Sequence, residues 1–445
     1  MKKSFMFLVF LLVVTVISAC SSKPSTNTSA ETTAPSQSTN TASTNSNENG
    51  KKEEVVTLNF LERWPNEPYK KYFKDVIDAF EKENPKIKIN TIAALNDDYK
   101  QKSNVLLNSD NPPDIFFSWV GEWGEKFVRE GVAMDITNLI NGDKAWKDQI
   151  IESQFGPFTS GGKIYGVPFY MDGKLFYYNT EIFTKYNLKA PKTWTEFIQV
   201  LQVLKDKGQT PIYLGNKSPW AAGHYLTTLN QRVVSQEVHK KDYTVGQSQF
   251  TDPGYVEALK KIQELIPYLN KSPNALSHEE VRNMFIAGKA PIIYLETLEA
   301  SFVKDTKFEW NTFNFPAVEG GKGDQNELTG APEGFMIHAK TKHPEESMKF
   351  LKFMMSKKNG ELLVKDTGLA SVVKDTMTDA NSTKKEQGIN DLVVKASNMT
   401  LWIDTALPSD IFTPYIGGLQ ELIAGKKTPE QLMKEVQDAA MKIKK

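Results

Sequence analysis

Val56, Leu58 and Phe60 alternate with other residues in the way that predicts a half-buried strand. Tyr69, Tyr72, Phe73, Val76, Ile77 and Phe80 then fall at i, i+3, i+4, i+7, i+8 and i+11, the spacing of one helix face. Asn84-Pro85 stops that helix, because a proline disfavours helical backbone at the residue before it. Ile87 and Ile89 resume the alternation, and strand, helix, strand predicts parallel pairing through a crossover. Pro113-Asp114-Ile115-Phe116-Phe117 predicts a third, buried strand ending in Ser118-Trp119. Thr193-Trp194-Thr195-Glu196 has the spacing of a capping box, followed by Phe197, Leu201 and Leu204 on one helix face. Pro291 to Leu295 predicts another short strand, and Pro344 to Met355 a helix with Met348, Leu351 and Met355 inward. The last helix opens at Thr428-Pro429 and carries Leu432, Val436, Ala439 and Ile443 on one face. Alternating elements over this length predict an α/β protein with two lobes.

The first 54 residues follow different rules. Lys2 and Lys3 precede an apolar run from Phe5 to Ile17, too short to span a bilayer comfortably, and small residues follow it. The chain's only cysteine, Cys20, ends the string Ile17-Ser18-Ala19-Cys20. That string has the form of a bacterial lipobox, in which Cys20 becomes the lipidated first residue of the mature protein. An ordinary signal peptide with an incidental cysteine is the alternative. Ser21 to Gly50 contains no aromatic and no large aliphatic residue, so it cannot bury a core. The expectation is a signal peptide over 1–20 and a disordered linker over 21–54, tethering a folded body to the outer face of the bacterial cell membrane. More than one acyl chain, at about 0.8 kcal/mol per buried methylene, gives durable anchoring.

Formal net charge is zero, which argues against nucleic acid, since phosphate binding needs a basic face. A single cysteine leaves no internal disulfide. His224, His239, His278, His338 and His343 form no zinc pattern, and no acidic run matches a calcium loop, so no metal and no cofactor is expected. Gly156 to Lys163 has the wrong spacing for a phosphate-binding loop and reads as a Gly-rich turn.

Several strings, in order, resemble one family. They are Phe80-Glu81-Lys82-Glu83-Asn84-Pro85, Asn111-Pro112-Pro113-Asp114-Ile115, Gly162-Lys163-Ile164-Tyr165-Gly166-Val167-Pro168, Leu175-Phe176-Tyr177-Tyr178-Asn179 with Pro191-Lys192-Thr193-Trp194, and Met284-Phe285-Ile286-Ala287-Gly288-Lys289-Ala290. The chain after the linker resembles the family 1 extracellular solute-binding proteins of ABC importers, the carbohydrate-binding group. The resemblance implies a two-lobe periplasmic-binding-protein-like fold with a hinge and an interlobe ligand cleft. It places 55–167 and 303–338 in the first lobe, and 168–302 and 339–445 in the second. It also implies a carbohydrate ligand, ABC permease transmembrane subunits as partners, and a monomer. One departure stands out. Many members carry Gly-x-Trp after the strand that here ends at Leu295, where this chain has Glu296-Thr297-Leu298. Tyr294 or Glu296 is then the candidate replacement.

A sugar needs aromatic platforms for its C–H faces, and carboxylates or amides for its hydroxyls. Trp220, in the loop-like Asn216-Lys217-Ser218-Pro219-Trp220, is the first candidate platform, with a surface loop anchor as the alternative. Glu62 and Trp64 follow the first strand, where parallel sheets bind ligands. Trp119 and Trp123 follow the third strand, one expected in the cleft and one in the core. Tyr170 and Asp172 lie past the first crossing, and Trp402 with Asp404 forms a late platform or core contact. Glu333 reads as a loop residue among small neighbours, or as an exposed glutamate. Trp194 reads as packing.

The leading reading is capture of an oligosaccharide without catalysis. A secreted glycoside hydrolase would need two carboxylates at about 5–5.5 Å or about 6.5–9.5 Å, and Glu62, Asp172 and Glu296 qualify by type. A non-sugar cargo is the third reading. A phosphate would call for cleft arginines, and only Arg63 stands near the candidates.

Overall fold

The computed structural model describes residues 55–394 and 399–443. The signal peptide, Cys20 and the linker lie outside the described residues.

β1 (Val56–Glu62) runs parallel to β2 (Ile87–Ala93), with α1 (Tyr69–Glu83) as the crossover. α1 buries Tyr69, Tyr72, Phe73, Val76 and Phe80, and its cap is Asn84, as the periodicity predicts. α2 (Asn96–Leu106) leads into β3 (Ile115–Ser118), which pairs in parallel with β1. α3 (Glu122–Arg129) follows. β4 (Thr159–Ser160) and β5 (Lys163–Ile164) form a hairpin across Gly161-Gly162. Both glycines have positive φ, which a two-residue hairpin turn requires, so the Gly-rich string is a turn.

β6 (Gly166–Asn179) is followed by α4 (Trp194–Asp206), α5 (Trp220–Val233) and α6 (His278–Ile286). Then come β7 (Ile292–Glu296), β8 (Trp310–Phe313), β9 (Leu328–Ile337), α7 (Pro344–Met354), β10 (Met399–Thr400) and α8 (Pro429–Ile443). The main sheet has the order β2-β1-β3-β9-β6-β7, with β8 also on β6 and β10 on β9. The architecture is α/β, as the sequence predicts.

Capping follows the sequence with one adjustment. Thr193 Oγ1 accepts the Glu196 N–H at 3.3 Å, but the Glu196 carboxylate accepts from Lys192 N at 2.7 Å rather than from Thr193. At α8 the reciprocal pair is complete, with Gln431 N donating to Thr428 Oγ1 and Thr428 N donating to Gln431 Oε1. Such a cap is worth about 1 kcal/mol.

Apolar side chains gather in two clusters. One contains Phe60, Phe73, Phe117 and Phe335, the other Phe176, Phe197, Leu229 and Tyr415. The 14-residue β6 runs through both, contributing Phe169 and Tyr170 to the first and Phe176 to the second. Its first half pairs with β9 and its second half with β7 and β8. The family resemblance groups 339–445 with 168–302. In the structure Met348, Phe350 and Leu351 of α7 pack in the first cluster, because Phe350 fits between Phe60 and Phe80 at 5.4 and 5.1 Å.

Candidate functional site

Two adjoining cavities open where the clusters meet. One, of about 30 Å³, is lined by Trp119, Trp220 and Trp402 with Asp97, Lys100, His224 and Asp404. The other, also of about 30 Å³, is lined by Trp64, Tyr69, His278, Arg282, Glu299 and Phe302 among others. Arg63, Asn96, Trp220 and Glu296 line both.

Local sequence positions each group. Trp220 is the first residue of α5 and not part of a loop, which corrects the sequence expectation. The buried Asn216 turns the chain into that helix, its Oδ1 accepting Ala222 N at 3.1 Å. The Trp220 ring lies 5.2 Å from His224 and 4.9 Å from His278. Ser277 and Glu280 form a full capping box on α6, fixing His278 at its first turn. Trp402 stacks on His224 at 4.5 Å, with 23° between the planes.

Arg63 extends from the carboxyl end of β1. Its Nη1 donates to Glu333 Oε2 at 2.8 Å, and its Nη2 lies 3.4 Å from Asn96 Oδ1 and 3.8 Å from Glu296. The guanidinium also lies 5.1 Å from the Trp119 ring centre. Lys174 is buried in β6, and its Nζ donates to His224 Nδ1 at 2.8 Å. Accepting at Nδ1 leaves the His224 proton on Nε2, 3.4 Å from Asp404 Oδ1. Burial, with Lys174 beside it, pushes the His224 pKa down to about 4, so the ring is neutral at pH 7. Burial alone would raise Asp404. Lys100 and His224 overcome that and hold it well below the ordinary carboxylate range. Glu299 is likewise buried, and His278 and Arg282 hold it low.

Of the sequence candidates, Trp220, Trp119, Trp402, Trp64 and Glu296 come together on the cavity walls. Trp64 is also a core residue, packed on Phe73 at 5.3 Å and on Phe117 at 5.0 Å. Glu62, Trp123, Tyr170, Asp172 and Glu333 line neither cavity. The Glu62 carboxylate accepts Trp64 N and shapes the turn after β1. Trp123 sits edge-on behind Trp119 at 5.4 Å. Tyr170 donates to Glu333, and Asp172 accepts from Thr297 Oγ1 at 2.6 Å and Gly173 N at 2.9 Å. Glu333 is a buried residue of β9, neither a loop residue nor exposed, and its carboxylate holds Arg63 from behind.

The profile of the bacterial extracellular solute-binding proteins matches residues 64–361. The chain belongs to this family. It is 26% identical over 345 residues to the multiple sugar-binding protein of Streptococcus mutans, covering 74% of this chain and 78% of that one. It is 22% identical over 375 residues to the maltodextrin-binding protein MdxE of Bacillus subtilis, covering 81% and 82%. A solved structure from work on xylan utilization by the thermophilic bacterium Caldanaerobius polysaccharolyticus superposes with a TM-score of 0.81 at 27% identity, covering 86% of this chain and 99% of that one. A chitin oligosaccharide binding protein shares the fold at a TM-score of 0.80 and 23% identity, covering 88% and 99%.

This solute-binding protein has the Glu296-Thr297-Leu298 departure at the centre of its site. Glu296 faces both cavities, while Tyr294 turns away and bonds Thr228 at 2.9 Å. Sequence reasoning missed Asn96, Asp97, Lys100, Lys174, His224, His278, Arg282 and Glu299. One signal was available: Asp172 and Lys174 are charges set inside an otherwise apolar strand. The first turn of α2 carries no comparable mark.

Proposed function

We propose that this protein is the ligand-capturing component of an ABC importer, binding a sugar, an oligosaccharide by preference, and delivering it unchanged to a membrane permease. The observation that carries the reading is the group of Trp119, Trp220 and Trp402 on one cavity, edged by Asp97, Glu296 and Asp404. Indole faces suit sugar C–H surfaces, and carboxylates suit paired hydroxyls. The sugar ligands named for the relatives add weight.

Two lobes built around the two apolar clusters would close on the ligand, with β6 and β9 as crossing strands. The lobe boundaries, the hinge and the monomeric state are part of this proposal. So is lipid anchoring through Cys20, with the linker as tether.

Two carboxylates on the cavity walls are set to accept hydrogen bonds rather than to donate a proton. A glycosidase needs a protonated acid at the bond. The carboxyls raised by burial, Glu62 and Glu333 to about 7 and Asp172 well upward, line neither cavity. Asp404 and Glu299, which do line them, are held ionised. A thermal-shift screen against mono- and oligosaccharides tests the reading, since a ligand of the folded state raises its melting temperature. No shift with any sugar would count against it.

A further inference from the structure

A third cavity, of about 510 Å³, lies away from the cleft at the other end of α5. Trp220, His224 and Gln231 fall on one face of that helix, and Gln231 stands about 16 Å beyond Trp220 at 1.5 Å per residue. The short helix Ile403–Ala406 crosses α5 between the two places. Ile403 N donates to Thr227 Oγ1 at 3.1 Å, and Gly223 lets Ile403 approach, since a Cβ there would lie 3.2 Å from its Cγ2. The crossing separates this cavity from the one holding Trp220.

Its floor is built from buried groups, and exposed Gln236, Glu237, Lys240 and Thr244 form its rim. Gln231 is 2% exposed, and neither its amide nitrogen nor its amide oxygen has a partner among the described residues. His239 is also buried, its Nε2 without a partner among the described residues and its ring stacked on Tyr243 at 4.0 Å. The carboxyl end of α5 is pinned, because Gly323 N and Gln325 Nε2 both donate to Arg232 O. Glu327 accepts from Thr400 Oγ1 at 2.9 Å, and Met399, Leu401 and Ala406 supply apolar wall. A buried amide with both ends unpaired is destabilising, and a leucine would pack the same space without that penalty.

We propose that this cavity is a second carbohydrate pocket, separate from the cleft, in which Gln231 takes a pair of adjacent hydroxyls. An amide offers one donor and one acceptor side by side, matching a diol, and Glu327 and Thr400 continue the polar edge. Met399 and Leu401 meet the C–H face. His239 is neutral, burial having lowered its pKa to about 4, so an uncharged ligand suits it. The occupant is a free sugar unit, held apart from any ligand in the cleft.

Saturation-transfer NMR on the full chain tests this with glucose, galactose, xylose, N-acetylglucosamine and maltotriose. Three proteins are compared: wild type, Trp220→Ala and Gln231→Leu. For at least one sugar, transfer persists in Trp220→Ala, and Gln231→Leu weakens binding about tenfold without lowering the apo melting temperature. Should Gln231→Leu fail to fold, Glu327→Gln gives the same comparison. Transfer lost in Gln231→Leu but kept in Trp220→Ala assigns the sugar to this cavity. Transfer that depends on Trp220 alone overturns the second pocket and leaves the cleft standing. No transfer from any sugar in wild type overturns both.

Discussion

Lys100 and Asp404 lie 304 residues apart in the chain and meet at 2.8 Å. Lys100 stands on α2 beside the core residue Tyr99, and Asp404 follows Ile403 of the other apolar cluster. Lys100 Nζ also lies 5.2 Å from the Trp119 ring and 5.8 Å from Trp123. The pair therefore ties the two cores together at the wall of the candidate site.

Lys100→Met leaves the buried Asp404 with only neutral His224 for company. Breaking a buried pair is strongly destabilising, and partial exposure of Lys100 reduces the effect, so a loss of about 1–3 kcal/mol is expected in urea denaturation. Adding Asp404→Asn should recover part of it. An unchanged midpoint for the single variant would mean that solvent already screens the pair.

Gly121 offers a second test of the same contact. Its φ is +80°, and a Cβ there would lie 2.7 Å from Thr405 O and 2.9 Å from Leu401 Cδ1. Gly131 also has a positive φ, +67°, but a Cβ there meets nothing within 4 Å. Gly131→Ala should carry only the backbone penalty, about 1 kcal/mol. Gly121→Ala should lose more and also weaken ligand binding. Equal losses would show that the 401–405 segment gives way freely.

Glu333 sets a pH dependence. Burial raises its pKa to about 7 against the opposing pull of Arg63, and burial does the same for Glu62. A raised folded pKa gives stability that is full below the ordinary value of 4.5 and is lost as pH rises through 7. Between pH 6.5 and pH 8 each group should account for about 1 kcal/mol of loss. His224 and His239, both lowered to about 4 by burial, contribute the opposite slope, full above 6.5 and lost as pH falls through 4, and so offset part of the loss at the acid end of this window. Glu333→Gln should remove its own share, about 1 kcal/mol, from the decline in unfolding free energy between pH 6.5 and pH 8, while Glu62 and the raised Asp172 continue to contribute. A decline as steep as that of wild type would place the titration elsewhere.

For the anchor, Cys20→Ala should abolish incorporation of a radiolabelled fatty acid and release the protein or leave its precursor unprocessed. Equal label in both proteins would remove Cys20 from the proposal.

The fold was readable where one period dominates. The α1 face, the β1–β2 alternation and the buried strand at Ile115–Phe117 emerge from apolar spacing alone, because burial on one face leaves a direct trace. Trp220 reads as a loop residue in the sequence because α5 is buried almost all round, and a helix without a polar face shows no amphipathic period. The buried position of Glu333 leaves no local trace, because its partners, Arg63 and Tyr170, are 270 and 163 residues away. The same holds for Lys100 and Asp404. Aromatic platforms could be nominated from residue type, whereas ion pairs across the cleft depend on tertiary contacts that local spacing does not encode.

The measurement that bears most directly on sugar capture is calorimetry of wild type and Trp220→Ala with the best ligand from the saccharide screen, beside melting curves of both apo proteins. Loss of an aromatic anchor in a desolvated pocket costs about 2 kcal/mol, a factor of about thirty in affinity. Trp220→Ala should weaken binding at least about tenfold while the apo melting temperature barely moves. Unchanged affinity, or a large drop in apo stability with binding intact, would contradict the assignment of Trp220 as the sugar platform.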